Sequence, residues 1–330
     1  MGRIDAPEGR AAVSFLRRPY ARGDEASINA GFNEAFGLAR PIGEWAWKFG
    51  PGAEDAWVDV ATGPDGAVAA QVAAQRVPVQ VDGRTVLAGR VVDLFCRRGA
   101  SRQEPALLRR LAADFRARHR APGGAAFLYG LAGAPHLRLE AVRLAAPGSP
   151  PVPRRWRDAA RGRSRWRRYA VHTWLEARAA DAFWEACRAR YPVAAVRDAA
   201  WLERRFLSPP GVRHHVLAAR RWGRVAAWAV VRLGGGVAHL ADLAWDGEDP
   251  RALHAVEEEA CLAAEAAGAR SIEAWLGGDQ AARAALLERG WKAAPDPRPL
   301  LLATSVLDPT LDGEDLRRRF YVTLGDSDLA

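Results

Sequence analysis

The run Val91-Val92-Asp93-Leu94-Phe95 decides how this chain folds, because the pattern around it occurs twice. After it come a polar loop, a helical stretch from Pro105 and a second apolar run, Ala126-Phe127-Leu128-Tyr129. The same order returns with Leu240-Ala241-Asp242-Leu243-Ala244, a polar loop, a helical stretch from Pro250 and Ser271-Ile272-Glu273-Ala274-Trp275. Pro105 lies 145 positions before Pro250, Phe127 lies 145 before Ile272, and Asp93 lies 149 before Asp242. Upstream, Trp47-Lys48-Phe49 has a counterpart in Arg204-Arg205-Phe206. Two apolar runs joined by a helix of this length read as parallel neighbours, since a parallel pair needs a crossover of a dozen or more residues. A unit of this size used twice reads as duplication of one α/β module.

Working outward, each half reads as a strand, two helices, antiparallel strands, a helix, a strand and a further helix. In the first half the strands fall near 13–17, 56–61, 68–77, 79–81, 85–96 and 126–130, and the helices near 24–36, 42–49, 105–119 and 135–143. Gly63-Pro64-Asp65-Gly66 and Asp82-Gly83 mark hairpin turns. In the second half strands are expected near 169–175, 214–220, 224–233, 237–244, 271–276 and 299–307, with helices near 180–189, 199–206, 250–267 and 279–289. Pro147 to Pro153 breaks the pattern between them. The expected organisation is α+β, with mixed, mostly antiparallel sheets: a domain over 1–150, a Pro/Arg-rich linker over 151–168, a second domain over 169–310 and a tail over 311–330. No G-x-G-x-x-G follows a first strand, and Gly234-Gly235-Gly236 sits in a hairpin without a phosphate-loop lysine.

The charge of +9 is local: residues 154–168 carry +7 of it in eight Arg and one Asp. The rest of the 330 residues is nearly neutral, which argues against a protein-wide nucleic-acid surface. The longest apolar run, Val225 to Val231, is too short to cross a bilayer, and the N-terminus has no apolar signal core. The expectation is a cytoplasmic protein without a membrane association. Cys96, Cys187 and Cys261 show neither metal spacing nor a disulfide framework and fit a reducing compartment. His214 and His215 are adjacent on a strand, so they point to opposite faces and cannot share a metal. No metal site is expected.

The stretch Ala281-Ala282-Arg283-Ala284-Ala285-Leu286-Leu287-Glu288-Arg289-Gly290-Trp291 resembles the helix-to-strand ending A-x-x-L-Y-E-K-x-G-F of GNAT acyltransferases. Three further segments resemble a bacterial subgroup in which that fold occurs in tandem: Glu44 to Phe49, Val196 to Phe206, and Phe320 to Asp328. The resemblance implies two GNAT-like domains and an acyl-CoA-dependent N-acyltransferase that joins acetyl-CoA, or another acyl-CoA, to a small-molecule or peptide amine. It also implies where the chemistry would sit. The strand before the central helix parts from its neighbour, so its N–H groups can polarise a thioester carbonyl. The following loop and helix N-terminus hold a pyrophosphate.

Carried onto this chain, the resemblance makes Phe95, Cys96, Arg97, Arg98, Gly99, Ala100, Ser101 and Arg102 the expected cofactor-binding stretch. Asp93 and Asp242 become candidate bases, and Tyr129 a candidate acid for the leaving thiolate. Both loops depart from the family's [Q/R]-x-x-G-x-[G/A] pattern. In the first, Ser101 and Glu104 have capping-box spacing. In the second, Trp245-Asp246-Gly247-Glu248-Asp249-Pro250 places three carboxylates where a pyrophosphate would lie, and Asp249 before Pro250 is a ready helix cap. Charge therefore favours the N-terminal half as the acyl-CoA site. His136 is a weaker proton-relay candidate. Two other classes fit the same pattern. One is an aminoacyl transferase of the Fem type, which would use the Arg run with Trp156 and Trp166 to contact tRNA. The other is a non-catalytic binding or scaffold protein.

Overall fold

The computed structural model describes residues 14–120, 122–132, 151–159, 168–173, 176–293 and 299–328. The helix expected near 135–143, His136 and Trp166 lie outside the described residues.

Two sets of five strands share one plan. In the first, β1 (Leu16–Pro19), β2 (Ala56–Thr62), β3 (Val68–Val81) and β4 (Arg84–Cys96) pair antiparallel in that order, and β4 then pairs parallel with β5 (Phe127–Ala132). In the second, β7 (Ala170–His172), β9 (His214–Arg221), β10 (Arg224–Arg232) and β11 (Val237–Trp245) repeat the antiparallel run, and β11 pairs parallel with β12 (Ser271–Gly277). The crossovers between the parallel strands carry α4 (Leu107–His119) and α7 (Pro250–Ala266). Helix α4 buries Leu107, Leu111 and Phe115, one face at intervals of four. Helix α7 starts where the sequence indicates, with the Asp249 carboxylate accepting from Arg251 N and Pro250 in the first turn. Ahead of β2 lie α1 (Glu25–Phe36) and α2 (Ile42–Phe49). At the Asp82-Gly83 hairpin both residues have positive φ, 48° and 80°, as a tight two-residue turn demands. Strand β3 continues through Pro78. The missing N–H of this proline falls between β3's pairing with β2, which ends at Gln75, and its pairing with β8 (Val193–Ala195), which starts at Val79.

The two halves are not separate sheets. Fifteen strands among the described residues form one branched sheet, eleven of them on a single continuous path from β14 to β7. The join is made by β8, which pairs with β3, and by β15 (Phe320–Thr323), which pairs with both β8 and β12. The halves also exchange strands. β14 (Leu301–Val306), expected to close the second module, pairs instead with β5 of the first. β6 (Arg154–Asp158), expected as linker, pairs with β12 and with β13 (Lys292–Ala293) of the second. The physical reason is edge protection: β5 and β12 would each otherwise present an unpaired edge. The supposed tail 311–330 likewise forms α9 (Gly313–Arg319) and β15. An interlocked core of Phe127, Tyr129, Val193, Leu302, Phe320 and Val322 fills the junction.

Candidate active site

Each half contains a wedge, opened where its parallel strands part. β4 and β5 are paired only at Gly89↔Leu128 and Arg90↔Tyr129. Beyond that point neither the β5-facing edge of β4 nor the β4-facing edge of β5 has a strand partner among the described residues. A bulge between the Gln71 and Ala73 pairings marks the same place on β4. It puts Asp93 at a φ of 49°, a left-handed conformation uncommon outside glycine that Asp adopts more readily than most residues. β11 and β12 part after Leu240↔Ala274, again beside a bulge, between Val230 and Val231.

The constraint on both bulges is a buried Arg–Asp pair, and the pair is duplicated. Asp93, 7% exposed, takes Arg40 Nη1 on one oxygen and Lys48 Nζ, at 2.5 Å, on the other. Asp242, 0% exposed, takes Arg197 Nε at 3.1 Å and Thr323 Oγ1 at 2.7 Å on one oxygen and Trp228 Nε1 at 3.2 Å on the other. Arg40 and Arg197 are 157 positions apart, as are Lys48 and Arg205. The pairing thus recurs with the repeat. Burial works against the charge on Arg197, but Asp242 and Asp326 outweigh it and hold its proton more tightly than usual.

Past the bulge the two wedges diverge. In the second half β15 enters the wedge. Thr323 and Val322 pair with Leu276 and Gly277 of β12, and Tyr321 Oη donates to Leu243 O of β11. Asp326 accepts from Arg197 Nη2 at 2.7 Å and from Thr323 N at 2.9 Å. The loop after β11 is closed from within the protein: Asp246 accepts from Glu248 N, Asp249 from Arg251 N, and Tyr191, just before β8, bridges Trp245 N and O with its Oη. In the first half no described strand enters. Tyr129 is fully buried at the last paired position, and its hydroxyl has no hydrogen-bond partner among the described residues. Burial raises its pKa, with Asp326 adding to the effect.

The expected cofactor stretch is partly helical. Phe95 is buried, Cys96 half-buried, and Arg98–Gln103 form a short helix, α3. Arg98, Gly99, Ser101 and Arg102 are exposed on it, and Ala100 is buried. Ser101 lies inside α3 and Glu104 pairs with Arg110, so the spacing of Ser101 and Glu104 does not make a capping box. Arg97 is held by Glu34 at 3.2 Å and donates to Ser27 O. Gly31 lets α1 close on Phe95, since a Cβ there would sit 2.7 Å from the ring. The described part of the Arg run is engaged within the protein: Arg154 with Glu273, Arg157 with Glu257, and Arg168 with Asp249. Sequence reading missed Arg40, Lys48 and Arg197 as clamps, and Thr323 with Asp326 as a lock. The Thr-x-x-Asp spacing of the last two was the available signal.

No protein-family model and no curated protein matches this sequence. Solved structures do. A GCN5-related N-acetyltransferase from Kribbella flavida superposes with a TM-score of 0.64 at 14% identity, covering 90% of this chain and 72% of that one. A tandem GNAT protein from the clavulanic acid biosynthesis pathway gives 0.59 at 16%, covering 90% and 99%. The N-myristoyltransferase of Saccharomyces cerevisiae with bound myristoyl-CoA gives 0.60 at 12%, covering 99% and 91%. The fold is therefore that of the GCN5-related N-acetyltransferases. In this chain it is present twice, as a tandem GNAT fold. Among the described residues no helix is long and apolar enough to cross a membrane, and no group of three or more His, Cys, Asp or Glu is placed to hold a metal ion.

Proposed function

We propose that this protein is an acyl-CoA-dependent N-acyltransferase that works at its N-terminal wedge. The observation that carries the reading is the β4 edge from Val91 to Phe95, unpaired among the described residues, set against a C-terminal wedge that the chain fills with its own β15. Unpaired strand N–H groups are donors already oriented by the sheet, and such donors stabilise developing oxyanion charge without reorganising. Acyl-CoA, when bound, supplies a thioester whose carbonyl those donors would polarise. Phe95 to Arg102 would lie along the carrier, with Arg98 and Arg102 exposed for its phosphates. The loop of the second half, with Asp246, Glu248 and Asp249, repels that charge.

Tyr129 is the chain's proton donor in this reading. Its raised pKa keeps it protonated through the neutral range, and its hydroxyl has no internal partner to satisfy. Asp93 holds the bulge through Arg40 and Lys48, and the same arrangement around Asp242 in the filled wedge supports a structural role for both. The test is calorimetric titration with acetyl-CoA, with hydrogen exchange read over residues 91–105. Heat together with protection of that stretch is expected; silence in both sinks the proposal. Tyr129→Phe separates chemistry from fold. Removing an unpartnered buried hydroxyl leaves the melting temperature unchanged or slightly raised, while transfer falls by about 100-fold or more.

A further inference from the structure

A cleft of about 220 Å³ lies between the halves, bounded by Trp47 of α2, Pro78 of β3, Arg90 of β4 and the segment from Val196 to Arg205. Its volume is below the roughly 300–1,000 Å³ of drug-sized ligand sites. It has room for a molecule of amino-acid size. Arg90 occupies the last paired position before the N-terminal wedge, so the cleft borders the point on β4 at which the wedge begins.

The cleft's polar groups are almost all donors. Four Arg and one carboxylate, Asp198, line it, and Asp198 already caps Trp201 N at 2.8 Å. Three of the lining residues carry a buried nitrogen without a hydrogen-bond partner among the described residues: Trp47 Nε1, Trp201 Nε1 and Arg204 Nη2. Indole and guanidinium nitrogens can only donate. Orphaned buried donors cost on the order of 1–3 kcal/mol each unless something accepts from them. Arg90 and Arg205 are both buried, and their hydrogen bonds go to neutral acceptors. Arg90 donates to Gln75 Oε1 and Gly325 O, both at 3.1 Å, and Arg205 to Gly325 O at 2.6 Å and to Ser327 O. Of the nearby carboxylates, Asp55 pairs with the lining Arg204, while Asp326 and Asp328, paired with Arg197 and Lys48, act on Arg205 only through space, without a hydrogen bond to it. Burial, and next the Arg90 charge, push Arg205 down to about 9. An anion beside it would reverse that shift.

We propose that this cleft is the acceptor site and that the acceptor is a small amine carrying an anionic group, carboxylate or phosphate, with an apolar face set between Trp47 and Trp201. The acceptor role rests on the acyltransferase reading; the anion preference does not. The test uses the full chain without acyl-CoA, titrated calorimetrically with two matched pairs: phenylalanine against phenethylamine, and phosphoethanolamine against ethanolamine. At least tenfold tighter binding of the anionic member is expected in one pair, and the pair that shows it distinguishes carboxylate from phosphate. Arg205→Gln is expected to erase the preference. Should that variant not fold, Trp201→Phe keeps an aromatic ring in place and is expected to weaken the anionic member severalfold more than its neutral partner. Equal affinities within both pairs, or no binding of any probe, overturn the proposal. Anion preference with no response to acetyl-CoA removes the acyltransferase reading and leaves the anion site standing. A response to acetyl-CoA without anion preference does the reverse.

Discussion

The two wedges share one plan, and among the described residues they differ by one inserted strand. Both have the parted parallel strands, the bulge and the Arg–Asp pair beneath it. In the C-terminal wedge β15 pairs with β12, Tyr321 and Thr323 bond to β11, and Asp326 completes a closed cluster with Arg197 and Asp242. In the N-terminal wedge the corresponding carboxylate belongs to an open network, with Lys48 reaching on to Asp328 at 3.0 Å. Duplication preserved what holds the bulge. β15 fills one wedge, and among the described residues the other keeps an unpaired edge.

Removing the central cation of the filled wedge is the harshest way to break this comparison. Arg197→Met leaves Asp242 and Asp326 buried beside each other without a counter-charge. Breaking a buried pair in this way costs about 3–5 kcal/mol. Chemical denaturation should show that loss. A cost under about 1 kcal/mol would mean the cluster does not hold β15 in place.

Gly278→Ala attacks the same wedge from the backbone. Gly278 has a φ of 75°, and a Cβ there would lie 2.5 Å from Phe320 O and 2.7 Å from Tyr321 Cα. Left-handed strain and overpacking together cost about 2–4 kcal/mol. Hydrogen exchange should quicken over 320–326 before it does over 91–96; uniform quickening would deny that β15 is a separable insert. The matching change in the open wedge is milder. In Asp93→Asn, Arg40 keeps its 2.8 Å bond to Asn29 Oδ1 and Lys48 keeps Asp328. The expected loss is about 1–3 kcal/mol, and the check is that it stays below that of Arg197→Met in the same titration.

Much of this was legible from sequence because it rests on local pattern. The repeated runs around Asp93 and Asp242, the Asp82-Gly83 turn and the Asp249-Pro250 cap all fell where periodicity and turn chemistry put them. What sequence hid depends on which edge a strand chooses. Residues 301–306 read as the closing strand of the second half and 154–158 as linker, and only the free edges of β5 and β12 decide where each of them pairs. Arg40 and Arg197 were hidden for a related reason. Loops of different length put them 157 positions apart, whereas the aspartates they bind are 149 apart, so the pairs do not align on one offset.

The smallest effect concerns how the filled wedge responds to acid. His214 sits on β9 with its ring against Phe206, and its Nδ1 lies 3.0 Å from Phe206 O. Phe206 in turn abuts Gly325, where a Cβ would be 2.8 Å from the ring. Burial, with Arg205, Arg232 and His215 adding to it and the Phe206 carbonyl opposing, lowers His214 from 6.5 to about 4. The unfolded chain therefore binds the proton more readily between those values. Stability is fully present above pH 6.5 and is lost as the pH falls toward 4. The ring is partly open to water, so the loss is about 1–2 kcal/mol, less than the shift alone would give. His214→Gln removes this slope and serves as the control. Because the ring supports the segment beside β15, exchange over 320–328 should rise through this pH range while that over 91–96 does not. Equal rises in both would mean that the two wedges share one acid response and that the inserted strand has no weakness of its own.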